Sequence, residues 1–216
     1  MLEALAKEPD PHTTISDPAA AVEAHVADGL SGLEVEELDA ASRIADIGAG
    51  AGFPGLVLAI ALPSASVDLI ESARRKAAVI DRLRQAADIE NARSIAVRAE
   101  DWARTPPALG GGRERYDVVT ARAVAPLAVL VEYAAPLLRP TGVLVAWKGA
   151  RDRAEEGLGR EAADEVGMAP EEVLRVEPFP GARNRHLHVY RKKAPTPERF
   201  PRRAGMAAKR PLGGRS

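Results

Sequence analysis

Apolar and polar positions follow one another along the chain in blocks that predict strands and helices in alternation. Short apolar runs such as SVDLIE and YDVVTA predict buried strands, and each precedes a longer stretch with helical periodicity. The predicted strands cover 43–47, 66–71, 94–98, 116–121, 142–147, 172–177 and 186–191. Helices are predicted up to Pro63 and over 72–87, 126–138 and 150–167. Such β-α repeats predict an α/β fold with a doubly wound, mostly parallel, seven-stranded sheet, whose ligands lie at the carboxyl ends of the strands.

The pattern divides the chain into three regions. Residues 1–42 form a helical extension, residues 43–193 form the α/β domain, and residues 194–216 form a basic tail. Proline, glycine and basic residues dominate the tail. We therefore expect the tail to build no core and to be ordered only in part, or only by a partner.

The helical extension carries one clear signal. Residues 1–15 show little pattern, whereas Ser16-Asp17-Pro18 predicts the start of a helix. His25 and Asp28 lie three positions apart on that helix, and most such pairs are surface contacts. Four apolar residues at helical spacing predict the buried face: Val22, Val26, Leu30 and Leu33.

Composition and charge exclude several kinds of site and favour one class of partner. The chain has no cysteine, which excludes disulfides, thiolate metal sites and a cysteine nucleophile, and we expect no metal. The apolar segment 118–138 is interrupted by charges and prolines, so a strand, a turn and a helix explain it better than a membrane span. No basic-then-apolar leader is present, and we expect a cytoplasmic protein. Residues 181–216 carry 11 Lys and Arg against one acid, which favours a nucleic-acid partner, with a merely solubilising tail as the alternative.

The ten residues DIGAGAGFPG at 46–55 follow the first predicted strand directly. Gly50, Gly52 and Gly55 fit the dinucleotide pattern G-x-G-x-x-G, and Glu71 stands 21 positions after Gly50, where a ribose-binding acid belongs. Asp46 precedes the turn and gives D-x-G-x-G-x-G, a pattern that resembles the first motif of Rossmann-like methyltransferases. We favour a methyltransferase, and an NAD-type Rossmann dehydrogenase is the alternative.

Other candidate residues follow later strands. Ala99 and Glu100 close the third strand, where an adenine ring commonly lies. Phe53 lies against the cofactor or packs its own helix. Arg122 and Lys148 follow the fourth and fifth strands, and an arginine in the apolar run VVTARAVAPL requires a partner. Either cation could donate to O6 of a guanine, the acceptor beside N7.

A set of strings in one order gives a specific resemblance. DIGAGAGFPGL, IESARRKAAVI, RAED, YDVVTARAVAPLAVLVEYAAPLL, WKG and FPRRAGMAAKRPL together resemble the ribosomal RNA small subunit methyltransferase G family, also called glucose-inhibited division protein B. The resemblance implies a class I S-adenosylmethionine-dependent methyltransferase domain over 43–193. It also implies methyl transfer to N7 of guanine 527 in 16S ribosomal RNA. A non-catalytic RNA-binding factor for ribosome assembly is the further alternative.

What the resemblance implies for individual residues follows its motifs. Cofactor binding falls on the turn and on later strand ends: Asp46, Gly48, Gly50, Gly52, Phe53, Glu71, Ala99, Glu100 and Arg122. Arg122 and Lys148 are the candidate catalytic residues, because either can fix the guanine. Arg98 and Arg185 also match charged positions of the family. We expect RNA contacts at Arg185 and in the tail: Arg202, Arg203, Lys209 and Arg210.

The same resemblance sets expectations for the whole protein. The partner is 16S ribosomal RNA or the small ribosomal subunit, and we expect a monomer without membrane contact. The helical extension is short for the family, and HVADGL at 25–30 departs from the family's usual histidine, aromatic, aspartate and serine run. The roles of His25 and Asp28 therefore stay open at this point.

Overall fold

Seven strands form a single sheet in the computed structural model, which describes residues 1–214; Arg215 and Ser216, at the end of the predicted tail, lie outside the described residues. The strand order is β3-β2-β1-β4-β5-β7-β6, and β7 runs in the opposite direction to the other six strands of this sheet. This confirms the predicted α/β, mostly parallel sheet. The strands are β1 (Arg43–Ile47), β2 (Ser66–Ile70), β3 (Ala92–Ile95), β4 (Tyr116–Arg122), β5 (Leu138–Lys148), β6 (Met168–Val176) and β7 (Arg185–Lys192).

Helices cover both faces of the sheet. The N-terminal region contributes α1 (Leu2–Lys7), α2 (Pro18–Ala21), a π-helical turn (Val22–Ala27), α3 (Asp28–Leu30), a 3₁₀ turn (Ser31–Glu34) and α4 (Glu36–Asp39). The remaining helices are α5 (Gly55–Ala61), α6 (Arg74–Ala86), α7 (Ala99–Arg104), α8 (Leu127–Ala134), α9 (Arg153–Val166) and α10 (Met206–Lys209), with a 3₁₀ turn at Pro107–Leu109. Because side chains alternate along a strand, Ile44 packs on the face with α1, α5 and α6, and Ala45 packs on the face with α8 and α9.

Some predicted boundaries differ from the structure. The third strand ends at Ile95, and the AEDWA segment that follows forms α7. The predicted helix 126–138 ends at Ala134, because the chain turns there and enters β5. The apolar segment 118–138 is a strand, a turn and a helix, as predicted. Within residues 1–214, no helix is both long enough and apolar enough to cross a bilayer.

The N-terminal region departs most from its prediction. Residues 2–7 form a helix whose Leu5 is fully buried, although they showed little pattern. The predicted start after Asp17 is confirmed, because its carboxylate accepts from the Ala20 amide at 2.9 Å. The predicted apolar face is correct for Val26 and Leu33, which pack against the core. It is wrong for Val22 and Leu30, which are 50% and 38% exposed. A π-helical turn changes the 3.6-residue period on which that face was based.

The expectation of a poorly ordered tail is also wrong for residues 194–214. Phe200 and Leu212 are buried in the core on the α8–α9 face of the sheet. The Thr196 hydroxyl donates to the Ala135 carbonyl at 3.0 Å, and Arg202 Nε donates to the buried Glu132 carboxylate at 2.7 Å. The tail therefore belongs to the same core as the α/β domain.

Candidate active site

A glycine-rich turn joins β1 to α5 at the carboxyl edge of the sheet. Gly48, Gly50 and Gly52 have φ angles of 64°, 59° and 98°, which L side chains rarely adopt. A Cβ built at Gly50 would meet nothing nearer than the Gly48 carbonyl oxygen, 3.8 Å away. The backbone of the turn is therefore open to a ligand lying against it.

The Asp46 carboxylate lies beneath this turn and holds its shape. Oδ2 accepts from the Gly55 amide at 3.0 Å, and Oδ1 accepts from the Thr120 hydroxyl at 2.9 Å. Burial raises the pKa of Asp46 to about 6, and only 1% of the residue is exposed. Asp46 therefore acts through the turn, and not as the direct contact to the methionine part of a cofactor that the motif predicts.

Glu71 ties the ends of β1 and β2 together. Its Oε2 accepts from the Gly50 amide at 3.1 Å, and its Oε1 accepts from the Ala73 amide at 2.8 Å. A carboxylate can accept about four hydrogen bonds in all. Capacity for ribose hydroxyls therefore remains, and that role stays a prediction.

Two cavities meet at Gly48. The larger, of about 550 Å³, is lined by the turn and by the ends of β4 and β5. The smaller, of about 160 Å³, lies over β2 and β3 and is lined by Ala99, Glu100 and Tyr133. The structure brings six of the predicted cofactor residues to the two cavities, whereas Asp46, Gly52 and Glu71 line neither of them. Asp46 and Gly52 support the turn from below, and the Cβ of a substituted Gly52 would lie 2.6 Å from Leu56.

Arg122 has its partners within the protein. Nη1 donates to the Asp28 carboxylate at 2.8 Å and to the Ala24 carbonyl at 3.1 Å. Nη2 lies 3.2 Å from His25 Nδ1. The predicted donation from Arg122 to a guanine is therefore not supported, because the N-terminal helical region uses these donors. Arg122 is better described as a positioning residue at the cavity wall.

His25 and Asp28 form the buried side of the N-terminal region, so their interpretation as a surface pair is wrong. The His25 ring stacks on Phe53, with ring centroids 4.5 Å apart. Nε2 contacts the Ile15 carbonyl at 3.0 Å, and Nδ1 faces the Arg122 donor, which assigns the proton to Nε2. Burial lowers the pKa of His25, so the ring is neutral at pH 7.

Asp28 has one oxygen without a hydrogen bond. Oδ2 accepts from Arg122, whereas Oδ1 is buried and has no hydrogen-bond partner within residues 1–214. Arg185 Nε lies 3.6 Å from Oδ1, and the Arg185 side chain is 46% exposed. Both residues line the larger cavity. The sequence left the role of Asp28 open because its partners come from distant parts of the chain.

Lys148 ends β5 at the same cavity. Its Nζ forms an ion pair with Glu155 at 2.7 Å and lies 3.5 Å from the Ala125 carbonyl. An ammonium group has three donors, so Lys148 retains capacity for a ligand. Its predicted role in fixing the guanine therefore stays a prediction. His12, Thr13, Lys76 and Trp147 also line this cavity and were not predicted.

Glu100 connects the smaller cavity to the tail. The residue is 4% exposed, and its Oε1 accepts from the Gly205 amide at 2.7 Å. Of the predicted RNA-binding tail residues, Arg203, Lys209 and Arg210 are exposed. Arg202 pairs with Glu132 and donates to the Arg210 carbonyl at 2.8 Å, so these donors are used within the protein, and its contact with RNA stays a prediction.

Comparison with known proteins places this site in a family. The profile of GidB, rRNA small subunit methyltransferase G, matches residues 12–187. The chain belongs to the rRNA small subunit methyltransferase G family. It is 42% identical to the ribosomal RNA small subunit methyltransferase G of Symbiobacterium thermophilum over 206 residues, covering 93% of this chain and 82% of that protein. It is 44% identical to the protein of the same name from Rubrobacter xylanophilus over 201 residues, covering 88% and 72%.

Solved structures support the fold of this family member. An S-adenosylmethionine-dependent O-methyltransferase from Thermotoga maritima superposes with a TM-score of 0.56 at 16% identity, covering 78% of this chain and 66% of that one. A mutant of MtNAS in complex with S-adenosylmethionine gives a TM-score of 0.61 at 14% identity, covering 89% and 70%. The fold is thus the Rossmann-like methyltransferase fold, and the comparisons favour it over the dehydrogenase alternative.

Proposed function

We propose that the protein transfers a methyl group from S-adenosylmethionine to N7 of a guanine in 16S ribosomal RNA. Family membership supports the reaction class and the substrate. The observation that carries the proposal in this chain is the open glycine turn at the junction of two cavities. One cavity suits the nucleoside part of the donor, and the other has room for its methionine part and for an incoming base.

The residues present fit this donor. The bare backbone at Gly50 leaves space that a side chain would fill, and Gly48, Gly50 and Phe53 would hold the methionine part. Glu71 would accept from the ribose, and Ala99 would border the adenine, with Glu100 holding the tail beside it. When bound, S-adenosylmethionine supplies a sulfonium-activated methyl group.

Methylation at N7 requires little acid–base chemistry from the protein. N7 carries an in-plane lone pair and no proton, so no base is needed. The positive charge passes to the purine as the methyl group is transferred, and no net charge is created. The work of this chain is therefore alignment and exclusion of water, which contribute on the order of 7–11 kcal/mol in favourable cases. The neutral, fully hydrogen-bonded His25 and the internally paired Arg122 are consistent with walls of fixed shape.

The proposal also covers the binding partner and the cellular location of the protein. Naked rRNA or the small ribosomal subunit is the substrate, with exposed Arg203, Lys209 and Arg210 contacting phosphates. We place the enzyme in the cytoplasm, where its substrate is found, and propose that it acts as a monomer without a bound metal. Among residues 1–214, no cluster of three or more His, Asp or Glu side chains is arranged to hold a metal ion.

Two measurements test the proposal. Calorimetric titration is expected to show binding of S-adenosylmethionine and none of NAD, since the turn and the family favour the sulfonium donor. Radiolabelled methyl transfer to small-subunit RNA, followed by mapping of the modified base, is expected to find 7-methylguanine. Donor binding without transfer to either naked RNA or subunits would favour the non-catalytic assembly factor instead.

A further inference from the structure

We propose that Asp28 and Arg185 together recognise the target guanine, an inference that rests on the proposed function. Asp28 is 7% exposed, yet its Oδ1 has no hydrogen-bond partner within residues 1–214. Buried polar groups are nearly always hydrogen-bonded, so a carboxylate oxygen that has an ion pair at 3.6 Å but no hydrogen bond still has room for a donor. The bound base supplies that donor.

The location of Asp28 points to the base and not to the methyl donor. Its neighbours come from the ends of β4, β5 and β7: Arg122 donates to Oδ2, Trp147 Nε1 donates to the Asp28 carbonyl at 2.8 Å, and Arg185 lies beside Oδ1. The glycine turn, Glu71 and the smaller cavity belong to β1, β2 and β3. Asp28 therefore lies over the half of the sheet that faces away from the nucleoside part of the donor.

The two side chains match one edge of guanine. Beyond N7, guanine presents the O6 acceptor and then the N1–H and 2-amino donors. The half-exposed Arg185 guanidinium donates to O6, and Asp28 Oδ1 accepts from N1–H and the 2-amino group. Adenine reverses this order, with an amino group in place of O6 and a bare acceptor at N1. The pair therefore selects guanine while leaving N7 free to face the methyl group.

The charge of Asp28 also suits the reaction. The N7–carbon bond forms as the sulfur–carbon bond breaks, and the purine becomes positively charged. A carboxylate on the far edge of the ring stabilises that charge as it develops. Removing the charge should therefore lower kcat as well as weaken binding of the RNA.

The variant Asp28→Asn tests this recognition directly. The Arg122 donors hold the amide oxygen in the Oδ2 position, so the amide nitrogen replaces Oδ1 and opposes guanine N1–H. We expect kcat/KM for methyl transfer to small-subunit RNA to fall about tenfold to a hundredfold. The Kd for S-adenosylmethionine, measured by calorimetry, should stay unchanged. Asp39→Asn, at an exposed carboxylate on α4, is the matched control and should behave as wild type.

Arg185→Gln provides a second test that does not depend on the stability of a buried site. We expect kcat/KM to fall while the log–log salt dependence of RNA binding stays as in wild type. A salt slope reduced by about 0.7–0.9 would instead assign Arg185 to a phosphate.

The outcomes separate this inference from the proposed function. Two results would overturn the recognition proposal alone, provided that the wild-type protein transfers methyl groups. One is full activity of Asp28→Asn. The other is an equal loss of donor affinity and of methyl transfer in that variant. Absence of guanine methylation by the wild-type protein overturns the proposed function.

Discussion

At the scale of single residues, sequence reasoning located Arg122 but not its partner. An arginine in an apolar run requires a counter-charge, and that rule is confirmed. The counter-charge is Asp28, 94 positions away, and it forms an ion pair of 2.8 Å with Arg122. A single sequence cannot show which distant carboxylate meets a buried cation. For this reason the sequence analysis assigned to a ligand a contact that Arg122 makes within the protein.

The Arg122–Asp28 pair predicts a particular pattern of stability. Arg122→Met should lower the free energy of unfolding, by up to about 3–5 kcal/mol, because it leaves the buried Asp28 carboxylate with only the half-exposed Arg185, 3.6 Å away, as its counter-charge. Combining it with Asp28→Leu should recover most of that lost stability, whereas methyl transfer should stay below the wild-type rate because Asp28 is missing. Urea unfolding and transfer assays check both variants. Equal stability of the single variant and wild type would contradict the pairing.

Asp46 gives a second prediction at this scale. Asp46→Asn should fold and keep its affinity for S-adenosylmethionine, because an amide can accept from Gly55 and donate to Thr120 without burying a charge. Asp46→Ala should cost about 1–3 kcal/mol, because it leaves buried groups unsatisfied. Thermal unfolding and calorimetry distinguish the two. A well-folded Asp46→Asn that no longer binds the donor would restore the direct contact.

At the scale of elements, the regular β-α units were predictable and the two ends of the chain were not. Strands β1, β2, β4, β5 and β7 lie within a few residues of their predicted ranges, because apolar strands between charged helices leave a strong pattern. The N-terminal region folds against the site through Gly32, where a Cβ would lie 2.4 Å from Trp147. Such close approaches leave no periodic signal.

The tail contains residues that attach it to the α/β domain and exposed residues that can contact RNA. A triple change of Arg203, Lys209 and Arg210 to Gln should weaken RNA binding, because fewer phosphates are neutralised. The log–log salt slope of RNA binding should fall by roughly 0.7–0.9 for each phosphate that the variant no longer neutralises.

Arg202→Gln should instead lower the free energy of unfolding, because it leaves the buried Glu132 unpaired.

Filter binding across a salt series, with unfolding curves in parallel, checks both parts. An unchanged slope in the triple variant would remove the tail from the RNA interface. The donor Kd should be the same in the triple variant as in wild type, since these side chains are exposed.

At the scale of the whole molecule, the fold and the position of the site could be predicted from the sequence. The roles of the individual side chains could not. The glycine turn and the β-α repeats predict a Rossmann-like fold, and the family's ordered sequence strings favour a methyltransferase over a dehydrogenase. The division between residues that line the cavities and residues that support them depends on tertiary contacts. Asp46 and Arg202 show this, because their charged groups form hydrogen bonds with other groups of the protein.

Buried histidines predict how stability depends on pH. Burial lowers the pKa of His25 and of His188 below the ordinary value of 6.5. Below that pH the unfolded chain takes up protons that the native state does not, so these residues make stability fall as the pH drops. The raised pKa of Asp46 acts in the opposite direction below about 6.

Comparison of variants isolates the histidine contribution. The difference in unfolding free energy between pH 7.5 and pH 5.5 should be smaller in His25→Gln and in His188→Gln than in wild type. His186→Gln, at the partly exposed start of β7, serves as the reference. Equal differences in all four proteins would rule out the histidine effect.

The burial of Phe200 and Leu212 makes residues 194–214 part of the folding unit of the α/β domain. The core on the α8–α9 side therefore takes side chains that lie far along the chain from the strands they cover. That side reaches its final packing only after residues 200–212 have been synthesised, so chain elongation sets the earliest moment at which this core can close.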